Sequence, residues 1–188
     1  LGLENKFVVG HVGRLHPQKN HDFLIDVFAE IKKKQPDAEL ILVGTGPLEE
    51  KVRSKVADKG LTESVQFLGN RKDMNRIYQA MDVFVFPSLF EGLGIVAIEA
   101  QAAGVPIVCS EGLPPETDIT PNYRKLMLSD GAQRWADAAL EIAQNLMAHT
   151  NMQKYVIDAG FDMSATAKNM EGFYLRKYGQ ANDSLIML

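Results

Sequence analysis

Asp82-Val83-Phe84-Val85-Phe86-Pro87-Ser88-Leu89-Phe90-Glu91-Gly92-Leu93-Gly94-Ile95-Val96-Ala97-Ile98-Glu99-Ala100-Gln101-Ala102-Ala103-Gly104-Val105-Pro106-Ile107-Val108-Cys109-Ser110 spells out one strand–loop–helix–strand unit. The apolar run Asp82–Phe86 reads as a strand, and so does Pro106–Ser110. Between them a glycine-bearing loop, 87–92, leads into an alanine-rich helix over 94–103. Two strands joined by a helix lie parallel in one sheet, because a crossover connection returns the chain to the end from which it started.

The same alternation runs outward in both directions. Further strands are predicted at Phe7–Val12, Glu39–Val43, Ser64–Leu68 and Lys125–Leu128. Helices are predicted at about 20–34, 48–59, 73–80 and 133–148, with more helix at about 151–159 and 164–178. In the first of these, Phe23, Leu24, Val27, Phe28 and Ile31 recur at helical spacing behind Asn20, a candidate N-cap. The strands are apolar almost throughout, as strands covered on both faces are. The expectation is an α/β, Rossmann-like three-layer domain with a six-stranded parallel sheet, spanning 1–188 with 151–188 as terminal helices. Ligands of such sheets sit beyond the carboxyl ends of the strands. The loops there are 13–19, 44–47, 69–72, 87–92 and 110–116, and the polar and glycine-rich residues concentrate in them.

Composition narrows the classes. The 188 residues suffice for one large domain or two small ones and bury roughly 70% of the unfolded surface. A hydrophobic share of 46% and a charged share of 23% are globular values. The net charge is -4, and the longest like-charge block, Lys32-Lys33-Lys34, ends a predicted helix where cations suit the dipole. Nothing in that balance points to nucleic acid. The single cysteine, Cys109, sits in an apolar strand and reads as a small core residue. With no disulfide framework a reducing, cytoplasmic compartment is expected. No apolar run reaches the ~18 residues of a membrane span. Leu1-Gly2-Leu3-Glu4-Asn5-Lys6 is no signal peptide, has no initiator Met and opens almost directly into a strand, so the chain reads as part of something longer.

Two loops carry chemistry. Gly13-Arg14-Leu15-His16-Pro17-Gln18-Lys19-Asn20 allows close backbone approach at Gly13 and places two cations, Arg14 and Lys19, before a helix N-terminus. That set suits a diphosphate, and equally describes two solvated surface cations. In the opening unit, Glu91 stands before the glycines and Glu99 is planted among Ile95, Val96, Ile98, Ala102 and Ala103, where it is expected to be shielded from solvent. Eight helical residues rise roughly 12 Å, about the span of a nucleotide sugar from ribose to hexose, and the glycines leave amides free for phosphate. A ligand with hydroxyls at both ends and an anion between them follows.

Other signals are weaker. Val43-Gly44-Thr45-Gly46-Pro47 has a G-x-G but no third glycine, and Leu48-Glu49-Glu50 opens the next helix with repelling charge, so a tight turn is expected rather than a dinucleotide fingerprint. Phe67-Leu68-Gly69-Asn70-Arg71-Lys72-Asp73 could present groups to a base, or be a plain turn with Asp73 as an N-cap. His11, His16, His21 and His149 lack zinc-site spacing, and only His16 lies in the cationic loop. No G-x-S-x-G elbow is present. Trp135, Ala139 and Ile142 form a helix's core stripe.

Taken together, Gly13-Arg14-Leu15…Lys19-Asn20 followed by Pro87-Ser88…Glu91-Gly92-x-Gly94…Glu99-Ala100…Gly104-x-Pro106 resembles the large retaining glycosyltransferase family of GT-B fold, glycosyltransferase family four. The likeness runs from residue 7 to about 116. The segment Ser110–Thr120 is less typical, since many members carry a Gly-Gly loop there; the variant resembles the capsule and exopolysaccharide branch.

The resemblance implies the C-terminal, donor-binding half of a GT-B enzyme, with an N-terminal acceptor domain absent from this chain. It implies that Arg14 and Lys19 hold the diphosphate and stabilise the leaving group, that Glu91 contacts sugar hydroxyls and that Glu99 hydrogen-bonds the ribose. Gly13 and the backbone of Gly92, Leu93, Gly94 and Ile95 would bind sugar and phosphate, and Asn70-Arg71 the base. It implies no metal and no cofactor, a UDP-sugar first and a GDP-sugar next as donor, and a glycan or lipid-linked acceptor reached through the missing domain. The full-length protein could then lie at the inner membrane face. A nucleotide-sugar 2-epimerase on the same fold, a non-catalytic nucleotide-binding module and a dinucleotide dehydrogenase are the alternatives.

Overall fold

The structure, a computed structural model, describes residues 1–144 and 152–186. Six strands form one sheet: β1 (Phe7–Val12), β2 (Ala38–Val43), β3 (Val65–Gly69), β4 (Val83–Phe86), β5 (Ile107–Ser110) and β6 (Tyr123–Leu126). Their order is β3-β2-β1-β4-β5-β6 and every neighbouring pair is parallel. The chain winds outward from β1 to β3, then returns to the centre at β4 and winds the other way. The order therefore reverses between β1 and β4, which is where an open sheet of this kind leaves a crevice at its carboxyl edge.

Period-two alternation explains the two cores. Val9, Leu40, Leu42, Val83, Val85 and Val108 point to one face, under α1 (His21–Lys34), α2 (Glu49–Asp58) and α5 (Gly131–Ala143). Val8, Ile41, Val43, Phe84, Phe86, Ile107 and Cys109 point to the other, under α3 (Met74–Tyr78) and α4 (Ile95–Ala102). On α1 the residues at helical spacing, Leu24, Val27, Phe28 and Ile31, are fully buried. Trp135, Ala139 and Ile142 of α5 are buried as the stripe predicts. The Trp135 indole donates to Met127 O at 2.9 Å and meets Phe23 edge-on. Cys109 is a core thiol whose pKa burial pushes up to about 12.

Sequence and structure part in a few places. β6 runs Tyr123–Leu126 rather than Lys125–Leu128, because Leu128–Asp130 coils into a short turn that leads into α5. The apolar pair Met127-Leu128 serves that turn, not the sheet. The helix predicted to 148 closes at Ala143; residues 145–148, His149 and residue 151 lie outside the described set. Asn20 and Asp73 occupy N-cap positions, but neither side chain caps its helix. After α6 (Gln153–Asp158), which packs on α4, comes α7 (Met163–Ile186), longer than 164–178. Along α7, Met163, Met170, Phe173, Tyr174 and Tyr178 are all exposed, and just before it Phe161 is half-buried.

Candidate functional site

Two loops face each other beyond the carboxyl ends of β1 and β4. The first follows β1. Gly13 gives its amide to Val43 O at 2.9 Å, so the loop starts fixed to β2. A Cβ on Gly13 would fall 3.1 Å from Lys19 Cε and 3.2 Å from its Cδ; the bare glycine lets the lysine stem lie across it. Pro17–Lys19 then forms one tight turn, and Asn20, in the left-handed region at φ 54°, turns the chain into α1.

The second loop follows β4. It carries Ser88 into the interior and leaves Leu89 and Phe90 in solvent at 50% and 63% exposure. Gly94 adopts φ 72° and ψ 48° to start α4, a conformation suited to glycine. The amides of Gly92, Leu93 and Gly94 have no acceptor among the described residues. The amide of Ala97 donates to Gly94 O at 2.8 Å, and those before it in the first turn of α4 have no helical acceptor.

Lys19 and Glu91 meet where these loops face each other. Lys19 Nζ donates to Glu91 Oε1 at 2.6 Å, with the two side chains only 16% and 7% exposed. The ammonium also stands 4.8 Å from the centroid of Phe86. An ammonium has three hydrogens, and Glu91 is its one hydrogen-bond partner among the described residues. Arg14 is exposed and has no side-chain partner among them. Of the two predicted cations, Lys19 is anchored against Glu91 and Arg14 is exposed on the same loop.

Glu99 is a correction. It is exposed rather than shielded by its apolar neighbours. On eight residues of helix, Ala97, Ile98, Ala100 and Gln101 take the buried face, and Glu99 shares the outward stripe with Ile95, four residues before it. It is nevertheless held. The hydroxyl of Tyr78, a residue 3% exposed at the end of α3, donates to Glu99 Oε2 at 2.8 Å. Burial, with the carboxylate's charge added, pushes the Tyr78 pKa up and keeps it a donor. The other carboxylate oxygen has no hydrogen-bond partner among the described residues.

The remaining predicted residues sort as follows. Asn70 is exposed just past β3. Arg71 is committed to Asp73 through two hydrogen bonds of 2.8 and 2.7 Å, which hold the Asp73 pKa at about 2. Its guanidinium is therefore engaged locally. His16 is exposed. The G-x-G is structural: a Cβ on Gly46 would come 2.7 Å from Leu15 N, and one on Gly44 2.9 Å from the Gly13 carbonyl carbon. These glycines let the loop after β2 pack on the loop after β1, where Leu15 N donates to Thr45 O and Leu48 N to Leu15 O, both at 3.1 Å.

Sequence reasoning missed Tyr78 and a buried histidine pair. His11 on β1 and His21 at the start of α1 lie edge to face, ring centroids 4.7 Å apart, directly behind Lys19. His11 Nδ1 sits 2.9 Å from Val85 O. His11 Nε2, both His21 nitrogens and Ser88 Oγ are buried without a partner. Burial lowers both pKa values, that of His21 to about 4 with Lys19 contributing, and His11 well below 6.5 with His21 contributing. Both rings are neutral at pH 7, so the positive charge beside them is that of Lys19. Only the crowding of apolar residues around His11 in the sequence hinted at its burial.

Residues 6–145 match the family described as glycosyl transferases group 1, and the chain belongs to that family. It is 31% identical over 175 residues to the putative glycosyltransferase EpsF of Bacillus subtilis, covering 93% of this chain and 45% of EpsF. It is 39% identical over 114 residues to UDP-Gal:alpha-D-GlcNAc-diphosphoundecaprenol alpha-1,3-galactosyltransferase of Escherichia coli, covering 58% and 30%. Sucrose-phosphate synthase of Thermosynechococcus elongatus superposes with a TM-score of 0.80 at 28% identity, over 94% of this chain and 46% of that one. HepE of Anabaena, solved in complex with UDP, superposes at 0.77 with 25% identity, over 93% and 50%. The fold is that of the C-terminal half of a GT-B enzyme. The chain spans less than half the length of the curated relatives it matches. No helix among the described residues is long and apolar enough to cross a membrane.

Proposed function

We propose that this chain is the donor-binding domain of a retaining glycosyltransferase that moves a hexose from a nucleotide diphosphate sugar, UDP-linked before GDP-linked, to a glycan or lipid-linked acceptor. The observation that carries the reading is the meeting of Lys19 and Glu91 at the sheet's reversal point, beside the unpaired amides of Gly92–Gly94. A cation and a row of N–H donors suit the diphosphate, and a neighbouring carboxylate suits sugar hydroxyls. Lys19 keeps two hydrogens for phosphate oxygens while Glu91 holds it in place. Arg14, unengaged, joins it on the anion.

The rest of the donor follows the crevice. Glu99, with one oxygen fixed by Tyr78, offers the other to a ribose hydroxyl, and the backbone at Gly69–Asn70 lies toward the base. In the reaction the bond from the anomeric carbon to the diphosphate oxygen breaks, and negative charge grows on the departing phosphate beside Lys19 and Arg14. The acceptor hydroxyl adds to the same face of the sugar and gives its proton to that phosphate. On this reading two cations and helix amides neutralise the charge on the departing phosphate. The acceptor pocket, and with it transfer activity, is assigned to a part of the protein outside this chain; EpsF, 45% covered, leaves room for such a domain. The segment Ser110–Thr120, which resembles the capsule and exopolysaccharide branch, favours a product of that type.

Calorimetry with UDP and with GDP, in the presence and absence of EDTA, tests the reading. Micromolar-to-millimolar binding of one nucleotide, unchanged by EDTA, is expected. Binding that vanishes on chelation would contradict the metal-free site, and binding of NADH in preference to either nucleotide would contradict the donor site.

A further inference from the structure

The loop that carries Glu91 should be loose, and it is not. Leu89 and Phe90 put large apolar side chains into solvent, so no packing holds the segment between Ser88 and Glu91. Its order comes from two neighbours that grip it from opposite sides. On one side Gln18 does so twice: its carbonyl accepts from Leu89 N at 2.8 Å, and its side-chain Nε2 donates to Phe90 O at 2.8 Å. On the other side the segment after β5 accepts from Glu91 N through Gly112 O at 2.9 Å, while Ser110 Oγ donates to Ser88 O.

The second grip depends on a missing side chain. A Cβ on Gly112 would lie 2.7 Å from the Leu89 carbonyl carbon and 2.8 Å from Ser88 O. Gly112 is not among the residues with positive φ, so an alanine there would be at fault only through that collision.

Gln18 is also the residue next to Lys19. One loop thus carries both the ammonium and the group that clasps the opposite loop, and the opposite loop carries the carboxylate the ammonium meets. We propose that Gln18 and Gly112 are positioning residues: a two-sided staple that fixes Glu91 against Lys19 and so sets the distance between the sugar-facing carboxylate and the phosphate-facing cation. The role in ligand binding rests on the donor-site reading above; the staple itself does not.

The test uses Gln18→Met, which keeps the length and loses the donor, Gln18→Lys, which restores a donor of similar reach, and Gly112→Ala. Amide hydrogen exchange on the 188-residue chain reads the staple without any ligand. Exchange at Leu89–Glu91 rises about fivefold in Gln18→Met and in Gly112→Ala, from the loss of roughly one net hydrogen bond. It stays near wild type in Gln18→Lys, and β4 and β5 are unchanged in all three. Unchanged exchange at Leu89–Glu91 in Gln18→Met would overturn the staple.

Calorimetry with UDP and UDP-glucose, and with GDP and GDP-mannose, reads its purpose. The wild type binds the matching nucleotide sugar more tightly than the bare nucleotide. Gln18→Met leaves the nucleotide within twofold and loses three- to tenfold on the nucleotide sugar. An equal loss on both would show that Gln18 acts on the phosphate loop and overturn the positioning of Glu91. A wild type that binds none of the four ligands would remove the donor reading, and the positioning role with it.

Discussion

Two loops of this molecule are glycine-bearing turns at the carboxyl ends of adjacent strands, and they do opposite things. The loop after β2 has the more suggestive sequence, a G-x-G leading into a helix, yet both glycines are consumed by contact with the loop after β1. The loop after β1 has one glycine, which is covered by the stem of a lysine. That loop lies at the reversal of the sheet, opposite the loop after β4, and its lysine finds Glu91 there. The loop after β2 faces β3, wound in the same direction, and has no such partner loop. On the proposed donor site, position relative to the reversal point, more than glycine content, decides which loop addresses the ligand.

Substitutions that should separate scaffold from site sharpen this contrast. Gly44→Ala has the largest expected effect. Gly44 holds φ 124°, and an added Cβ would press on the Gly13 carbonyl. Strain and overpacking together should lower stability by about 3 kcal/mol, read as a shifted denaturant midpoint. A midpoint unchanged in Gly44→Ala would show that the second loop is not wedged as described.

Acid should act on the first loop from behind. His21 has a folded pKa of about 4 against 6.5 unfolded, and His11 is lowered as well. The unfolded chain therefore binds protons that the folded chain refuses as pH falls below 6.5, so stability drops across the window from 6.5 to about 4 and is fully present above it. For His21 alone the loss is about 2 kcal/mol at pH 5. The groups facing the pair are Lys19, which adds to the effect, and the aromatic rings of Phe84 and Phe86, which do not titrate. Thermal melts from pH 7.5 to 4.5 should show the decline, and His21→Phe should flatten it.

Smaller effects are expected where side chains are exposed. Glu99→Gln and Arg14→Ala should each leave stability within about 0.5 kcal/mol. Glu99→Gln should weaken nucleotide binding about tenfold, the low end of a charged hydrogen bond. In the full-length enzyme Arg14→Ala should chiefly lower kcat, since it faces charge that grows as the phosphate leaves. Pure KM effects of equal size for both would contradict that division of labour.

Most of this was legible in the chain before any coordinates. The four inner strands, β1, β2, β4 and β5, announced themselves because they are buried on both faces and so read as nearly continuous apolar runs. β6 was misplaced by two residues because it is an edge strand, Tyr123-Arg124-Lys125-Leu126, with polar residues in its middle and an apolar turn just after it. Lys19, Arg14 and Glu91 were legible as candidates because charge beside glycine at a strand's end is local in sequence; of the three, the structure brings Lys19 and Glu91 into contact. Glu99 was found but wrongly buried: in an alanine-rich helix, composition does not show which stripe faces the core. Tyr78 and the His11–His21 pair were missed, since their roles come from contacts between residues far apart in sequence. The terminal helix α7 is amphipathic in composition, and only the structure shows that the sheet leaves its aromatic residues uncovered.

The contrast between the two loops can be decided in one titration. UDP added to the isotope-labelled chain, with EDTA present, should shift the backbone amides of Gly13–Asn20 and Glu91–Val96 together, saturably, and leave those of Glu49–Val52 at the start of α2 in place. Shifts centred on Gly44–Pro47 and the first turn of α2, with Lys19 and Glu91 unmoved, would mean that the glycine-rich loop is the phosphate site after all and that the reversal-point account is wrong.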